Sequence, residues 1–497
     1  MEDSLNKRYI VKLVSSAVSG IVNASILALV PSALGPVAFG NFTYLTQFFT
    51  KVLAFLDAGT STALFTRLSA KKNNQQLLVF YFILSLIIFL CVNLSVFCIN
   101  LLDISHYFGE SVSLSEIYLA AILCFSIWLS QIFIKISDAY ALTASIEIGK
   151  ILTRIATLLF LILAIKLSLI NSVSYYLFNL FSTIFLISIF LFILVKNGVI
   201  TKSTLTTSPN LSLHIGAFKT FCKPLLQFNI IGIFVGIFDV WLLQNVSGSV
   251  EMGFYGLSYS IAALSVIFTS AMTPVISRDF TKYYNEGLKE KTVQLFESYT
   301  PLLYFLSLII GSYLLFSSSD IIAIFSDERY ADAKYCLMIM ALYPMHQTYG
   351  QLTSSILFTL EETEAYKNIG MVFSLIGMIL SLVFVYTFEL GAAGLALKMV
   401  LTQVVSVNVQ LWYVCKRLDM SFYRFIYHQI RSSISVILIA GLISYMSFVN
   451  SGYLLVDFIT NGLIYSITIL FVIMVLPKLF FIDLRLVDSF KDKLKVI

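Results

Sequence analysis

Two lysines lie deep inside long apolar stretches of the 497-residue chain. Lys51 is ten residues into the stretch 41–64, and Lys398 is seven residues into the stretch 391–414. A charged side chain at the bilayer centre costs about 2.5–3.5 kcal/mol on insertion scales, so each lysine indicates a wet cavity or a counter-ion. Because an ammonium group can neutralise phosphate as a compact point charge, we predict that both lysines bind an anionic substrate.

Polar residues accompany Lys51 at helical spacing. Tyr44 and Gln47 precede it by seven and four residues, which places the three side chains on one face of a helix. Amides, hydroxyls and aromatic faces are groups that bind sugars. Further predicted cavity residues with amide groups are Asn23, Gln347 and Gln351.

Asp239 lies on one helical face with Gly232 and Gly236. The glycines favour helix packing over substrate contact. Two roles stay open for the carboxylate: a structural counter-ion of Lys51 or Lys398, or a group that couples transport to an ion.

Three arginines mark the inner ends of apolar stretches, where basic residues commonly anchor a helix. Each is predicted to be either an ordinary anchor or part of the inner mouth of the cavity. They are Arg67, Arg154 and Arg278.

The composition excludes a soluble domain. The chain is 59% hydrophobic and only 12% charged, whereas soluble domains carry about 25% charged residues. A membrane-spanning helix needs about 20 apolar residues, and such stretches recur along the chain. The predicted fold class is therefore an all-α membrane protein with about fourteen transmembrane helices. The predicted spans are 10–30, 41–64, 77–101, 114–137, 147–169, 173–196, 221–246, 253–277, 297–317, 334–360, 367–389, 391–414, 430–449 and 453–477.

The distribution of basic residues predicts the orientation of these spans. Of the 32 Lys and Arg residues, 27 fall on the side that holds the N-terminus, while only Lys166, Arg329 and Lys334 fall in loops on the other side. Basic residues are retained in the cytoplasm, so both termini are predicted to be cytoplasmic, in the plasma (cell inner) membrane. The net charge of +5 then faces anionic membrane lipids, and no nucleic-acid partner is implied.

We predict four segments along the chain. Residues 1–196 form an N-terminal six-helix lobe, 197–220 a cytoplasmic linker, and 221–415 a C-terminal six-helix lobe. Residues 416–497 add two transmembrane helices and a basic cytoplasmic tail.

A short repeat supports the pairing of two lobes. The second span opens with GPVAFGNF and the eighth with GSVEMGFY. Gly35 and Gly40 match Gly248 and Gly253 at a constant offset of 213. Because the first and seventh spans both start inside, the repeat is parallel, as in several transporter families.

Motifs for metal or nucleotide chemistry are missing from the sequence. The six cysteines form no CxxC pair, which argues against a zinc site. Gly149 and Lys150 lack the surrounding residues of a phosphate-binding loop. We therefore predict no metal, no cofactor and no enzymatic activity.

Several motifs resemble those of a known family. LG at 34–35, FG at 39–40, DAG at 57–59, Ala63 and Arg67 are similar to the start of polysaccharide transport flippases. These are the O-antigen-type translocases of the multidrug/oligosaccharidyl-lipid/polysaccharide exporter superfamily. The second half adds similar residues at Asp239, GFY at 253–255, Pro274 and GAAG at 391–394. One departure is Gly59-Thr60, where the family has glycine followed by leucine or phenylalanine.

The resemblance implies two six-helix lobes around a central cavity. It also implies a flippase that moves an undecaprenyl-pyrophosphate-linked oligosaccharide, such as an O-antigen repeat unit in lipopolysaccharide biosynthesis, from the inner to the outer leaflet by alternating access. Polysaccharide polymerase and chain-length machinery would be partners. Membrane potential, a proton or sodium gradient, or consumption of the product would drive transport.

Three alternatives stay open. An ion-coupled multidrug antiporter of the same superfamily should have a carboxylate-centred cavity, whereas two buried lysines favour an anionic substrate. A membrane polysaccharide polymerase should have a large basic outer loop, but the predicted outer loops are short. A membrane acyltransferase needs an intramembrane histidine with a polar partner, for which His346 is the only candidate.

Overall fold

A computed structural model describes most of the chain. The described residues are helices, turns and short connections without a β-strand, which confirms the predicted all-α class for this part of the chain. The basic C-terminal tail predicted above lies almost wholly outside it. The described residues are 5–70, 75–201, 204, 207–446, 451–476 and 480.

The chain divides into two compact units, Met1–Gly253 and Phe254–Ile497. The first unit holds seven numbered helices and the start of an eighth. They are α1 (Leu5–Asp57), α2 (Thr60–Ala70), α3 (Gln75–Leu101), α4 (Leu114–Ala139), α5 (Thr143–Lys166), α6 (Ser172–Lys196), α7 (Leu211–Leu242) and α8 (Gly248–Leu264).

The second unit continues from α8. Its other helices include two short ones, α11 and α12, of eight residues each. They are α9 (Ile267–Asn285), α10 (Lys289–Phe316), α11 (Ser318–Phe325), α12 (Ala333–Met340), α13 (Tyr343–Thr359), α14 (Thr363–Ser381), α15 (Gly391–Leu418), α16 (Phe422–Met446) and α17 (Leu454–Val475).

Eleven helices in the described part are long and apolar enough to cross a membrane. Two of them, Val18–Asp57 and Ile230–Leu264, each cover two predicted spans and contain a glycine with positive φ at the junction. The predicted span 334–360 is divided between α12 and α13, which are 8 and 17 residues long. The protein is thus an integral membrane protein, and the count of fourteen crossings stays a prediction.

The first unit covers more of the chain than the predicted N-terminal lobe, and the lobe boundaries stay a prediction. The predicted linker 197–220 and helix α7 both lie in the first unit, whose last residue is Gly253. The two C-terminal helices are packed into the second unit. Tyr465 of α17 stacks on Tyr313 of α10 with ring centroids 5.4 Å apart, and its hydroxyl donates to the carbonyl of Ile309 over 3.0 Å.

The orientation of the chain gives a first testable prediction. With both termini cytoplasmic, a cysteine at Ala331 should react with a membrane-impermeant maleimide added to intact cells, because this position falls in a predicted outer loop. A cysteine at Met420 should react only after the membrane is opened. The background is the chain with its six cysteines replaced. Labelling of position 420 from outside would reverse the predicted orientation.

Candidate functional site

The repeated motif has the same unusual backbone in both copies. Gly35 has φ 78° and ψ 167°, and Gly248 has φ 88° and ψ 175°. This region of backbone space is essentially restricted to glycine. The two copies of the repeat, 213 residues apart, therefore match in backbone conformation as well as in sequence. Each glycine lies where one helical segment ends and the next begins.

The two copies cross in close contact within the first unit. A Cβ added to Gly40 would lie 1.8 Å from the carbonyl oxygen of Ser249, and one added to Gly253 would lie 2.4 Å from the carbonyl oxygen of Pro36. Ser249 is offset from Pro36 by the same 213 residues. The two contacts are thus equivalent by the repeat, and glycine at both positions allows the backbones to meet.

A buried hydrogen-bonded cluster lies beside this crossing. Asn41 donates through Nδ2 to the carbonyl of Ser111 over 2.8 Å and accepts at Oδ1 from the Ser249 hydroxyl over 2.6 Å. Gln244 donates to Asn41 Oδ1 and Ser249 Oγ over 3.1 and 2.7 Å. This cluster, which joins residues more than 200 positions apart, was not predicted from the sequence.

Lys51 lies three turns further along α1, facing α7. An added Cβ at Gly236 would be 3.0 Å from Lys51 Cε and 3.3 Å from Nζ. The lysine is half-buried. Within the described residues its ammonium makes no hydrogen bond or ion pair, so Asp239, for which a structural pair with Lys51 was one of the roles left open, does not pair with it in this conformation.

The neighbours of Lys51 on its helical face differ in their surroundings. Gln47 is half-buried, and its amide has no hydrogen-bond partner in the described part of the chain. Tyr44 is fully buried, with its ring 6.1 Å from Phe48 and 6.4 Å from Phe108. Gln47 and Lys51 thus offer unpaired polar groups, while Tyr44 belongs to the packed core of the unit.

Lys398 in the second unit is more deeply buried, with 7% of its surface exposed. A Cβ added to Gly377 of α14 would lie 2.9 Å from Lys398 Cε and 3.5 Å from Thr402 Oγ1. Lys398 and Thr402 are four residues apart and therefore share one face of α15. Its predicted exposure to a substrate cavity stays a prediction.

The two predicted glutamines of α13 bind neighbouring helices of the second unit. Gln347 accepts from the Gln403 amide over 2.7 Å. Gln351 accepts from the Thr273 hydroxyl over 2.9 Å and donates to Ser270 over 3.3 Å. Both amides are only partly buried, so each retains surface for a further contact.

Two predicted site residues come together in the first unit. Arg154 Nη1 donates to Asn23 Oδ1 over 3.2 Å, and both side chains are exposed. One turn earlier on α5, Lys150 pairs with the buried carboxylate of Glu147 over 2.8 Å. This end of α5 therefore presents an exposed guanidinium held by an amide.

The other two predicted arginines have different surroundings. Arg67 donates to the carbonyl of Ala217 over 3.3 Å, and its guanidinium lies 5.7 Å from the centre of the Phe218 ring. Arg278 is exposed on α9. These placements are compatible with either predicted role, anchor or cavity mouth.

A further cation was missed by the sequence argument. Lys135 donates to the Ser61 hydroxyl over 2.6 Å, and that hydroxyl donates to Asp57 over 2.8 Å. Asp57 also accepts from Thr60 over 2.8 Å. Lys135 had been counted only as an inner-face basic residue, because its bridge to Asp57 depends on a contact between α2 and α4.

No protein-family model matches the chain, and no curated protein does. Solved structures do. A lipid II flippase, MurJ, in an inward closed conformation matches with a TM-score of 0.66 and 16% identity over 92% of this chain and 97% of that one.

Two further solved structures have the same arrangement of helices. A multidrug resistance MATE family transporter of the MOP superfamily, in an inward-facing conformation, matches with a TM-score of 0.63 and 16% identity, over 84% of this chain and 96% of that one. A MOP superfamily transporter from Pyrococcus furiosus matches with a TM-score of 0.51 and 16% identity, over 83% and 93%. At these identities the matches establish the fold: this is an integral membrane protein with the fold of these transporters.

The Gly236 contact provides a second prediction. Gly236→Ala places a methyl group 3.3 Å from the Lys51 ammonium, so the lysine must shift. We expect a severalfold loss of transport at normal protein abundance, measured as described below. The matched control is Gly232→Ala on the same helix, where an added Cβ has no neighbour within 4 Å among the described atoms. Equal transport by the two variants would contradict the prediction.

Proposed function

We propose that the protein is a flippase for an oligosaccharide linked to a membrane lipid through a diphosphate, such as an undecaprenyl-pyrophosphate-linked repeat unit of O-antigen or a related surface polysaccharide. The observation that carries the proposal is the unpaired ammonium of Lys51, which lies deep in a predicted membrane span. A half-buried cation without a protein partner suits an anionic ligand, because pairing offsets the cost of placing the charge there.

The other polar residues fit a sugar-bearing substrate. Gln47 lies one helical turn from Lys51 with its amide unpaired, and Gln347 and Gln351 keep partly exposed amides. In this proposal the diphosphate binds Lys51, the amides contact the sugars, and the lipid tail remains in the bilayer. Arg154 and Asn23 receive the diphosphate at the inner face.

The cycle we propose is alternating access, in which the substrate site opens first inward and then outward. The fold of a lipid II flippase supports this proposal. Net transport toward the outer leaflet would be driven by membrane potential, by a proton or sodium gradient, or by removal of the product outside. A polymerase acting on the outer face would be the partner that removes it.

The second candidate function is ion-coupled export of drugs. The observation that favours it is the shared fold with a multidrug resistance transporter. That function requires a site for cationic or neutral compounds, in which the carboxylate of Asp239 would take part. The unpaired Lys51 favours the flippase, because a lysine in the site would repel a cationic drug.

Transport by the purified full chain in vesicles tests the proposal. The probe is an undecaprenyl-diphosphate oligosaccharide with a fluorescent label on the sugar, and a membrane-impermeant quencher measures the fraction on each side. We expect flipping above that of empty vesicles, and inhibition by an excess of unlabelled diphosphate lipid but not by a cationic drug. Drug transport in the same vesicles without movement of the lipid would establish the second candidate.

A further inference from the structure

An open groove of about 440 Å³ lies between α5 and α6 of the first unit. Its volume is in the range of sites that bind small ligands. Small residues of α5 form its floor: Thr153, Ala156, Thr157 and Ala164. Their spacing of three, four and eleven residues puts them on one face of the helix.

Aromatic residues form the walls of this α5–α6 groove. Phe178, Phe181 and Phe185 recur at three- and four-residue intervals on α6, and Phe160 stands on α5. Phe160 and Phe181 are 64% and 68% exposed. A groove lined by small and aromatic side chains suits a hydrocarbon chain.

The hydroxyls inside the groove are already paired. The Thr157 and Ser182 hydroxyls share a hydrogen bond of 2.6 Å, and the Thr153 hydroxyl donates to the carbonyl of Gly149 over 2.9 Å. A polar ligand would therefore find few free hydrogen-bonding groups in the groove. An apolar chain could bind there without breaking any of these hydrogen bonds. The groove is chemically suited to a hydrocarbon occupant.

A single charge lies at one end of the groove. Lys166 is the only charged residue between Arg154 and Lys196, and it is exposed in the last turn of α5. It lies between Leu163 and Leu167, both of which line the groove. Lys166 is thus the charged residue closest in sequence to this end of the groove, where the headgroup of a chain lying in it would be.

The groove is somewhat longer than one leaflet is deep. Its lining residues on α5 run from Thr153 to Leu167, a rise of about 21 Å at 1.5 Å per residue, whereas half of the hydrocarbon core is about 15 Å. An ordinary acyl chain in an extended conformation fills this length, whereas an undecaprenyl chain is much longer. We propose that the α5–α6 groove binds one acyl chain of an anionic phospholipid whose headgroup is held by Lys166. This inference does not depend on the proposed transport function.

Lipid binding to the full chain in mild detergent tests the inference, with bound lipid counted by native mass spectrometry. The probes are phosphatidylglycerol, phosphatidylcholine and undecaprenyl phosphate. We expect one phosphatidylglycerol per chain, preferred over phosphatidylcholine by roughly fivefold, as one lysine near an anionic headgroup provides. Lys166→Gln should abolish the preference and leave phosphatidylcholine binding unchanged. The charge control is Lys196→Gln.

A second variant separates the groove from general lipid contact. Ala164→Trp fills the floor and should remove the bound lipid of either type. Leu152→Trp is the control, because Leu152 is an exposed residue of α5 outside the groove. Size-exclusion elution and circular dichroism establish that each variant is folded. Equal lipid retention by the two tryptophan variants would overturn the groove as a site. Displacement of phosphatidylglycerol by a lower concentration of undecaprenyl phosphate would overturn the assignment to phospholipid.

Discussion

Lys51→Gln is expected to reduce translocation of the lipid-linked oligosaccharide by roughly 10- to 100-fold. The estimate follows from the about 1.5–3 kcal/mol that a hydrogen bond to a charged group contributes. Since Lys51 has no hydrogen-bond or ion-pair partner among the described residues, its replacement leaves no protein charge unpaired there, and the abundance of the protein should stay normal. The measurement is surface polysaccharide in a strain that lacks the native gene, with protein abundance followed by blotting.

Charge should matter more than shape at this position. Lys51→Arg is expected to retain part of the output, because arginine keeps the positive charge and can bind a phosphate through two parallel hydrogen bonds. The control is Lys219→Gln, which neutralises an exposed lysine and should leave output unchanged. Full output from Lys51→Gln would exclude a substrate role for this lysine.

The double variant Lys51→Gln with Asp239→Asn distinguishes a substrate role from a structural pair. A structural pair predicts that removing both partners restores function, because neither charge is then left alone. The two residues form no ion pair in the described conformation. We therefore expect the double variant to be no more active than Lys51→Gln alone, and recovery of output would assign Lys51 to structure.

Features governed by local backbone demands were predictable from the sequence. Gly35 and Gly248 have conformations that other residues rarely adopt, and Gly40 and Gly253 occupy a backbone crossing. Because only glycine fits these conformations and contacts, both copies of the repeat have glycine at the matching positions. The depth of Lys51 in the membrane is likewise predicted from the sequence, because a charge is conspicuous in an apolar stretch.

Features created by distant contacts were not predictable. Asn41 and Gln244 meet across 203 positions, and neither belongs to a periodic polar pattern. Tyr44 shares a face with Lys51, yet a tyrosine can bury its ring against other aromatic residues, as Tyr44 does beside Phe108. The burial of a side chain depends on the helix that packs over it, which spacing along one helix does not reveal.

The number of spans was difficult to predict for a related reason. Hydropathy measures apolar length, but the ends of a span depend on the backbone. In α1 a single glycine with a non-helical backbone, Gly35, separates two helical segments without an intervening loop, so no polar connection marks the boundary between the two predicted spans. Conversely, the predicted span 334–360 is interrupted between Met340 and Tyr343.

Gly40→Ala is expected to have the largest effect on the fold. Its methyl group would fall 1.8 Å from the carbonyl oxygen of Ser249, which is backbone and cannot rotate away as a flexible side chain would. Overpacking typically costs 1–3 kcal/mol, occasionally more, and separating the two segments would also disturb the buried hydrogen bonds of Asn41. We expect a lower melting temperature in detergent and a loss of surface polysaccharide.

Gly253→Ala tests whether the two glycines matched by the repeat contribute similarly to the stability of the protein. Its methyl group would fall 2.4 Å from the carbonyl oxygen of Pro36, so we expect a loss in the same direction but smaller than for Gly40→Ala. Gly232→Ala is the control, and it should be neutral or slightly stabilising, because alanine is the better helix former and its added Cβ meets none of the described atoms within 4 Å. If both crossing variants melt and function like this control, the two segments do not pack through these glycines. If only one variant is impaired, the two contacts are not equivalent, and the repeat is a feature of the sequence without a matching role in holding the first unit together.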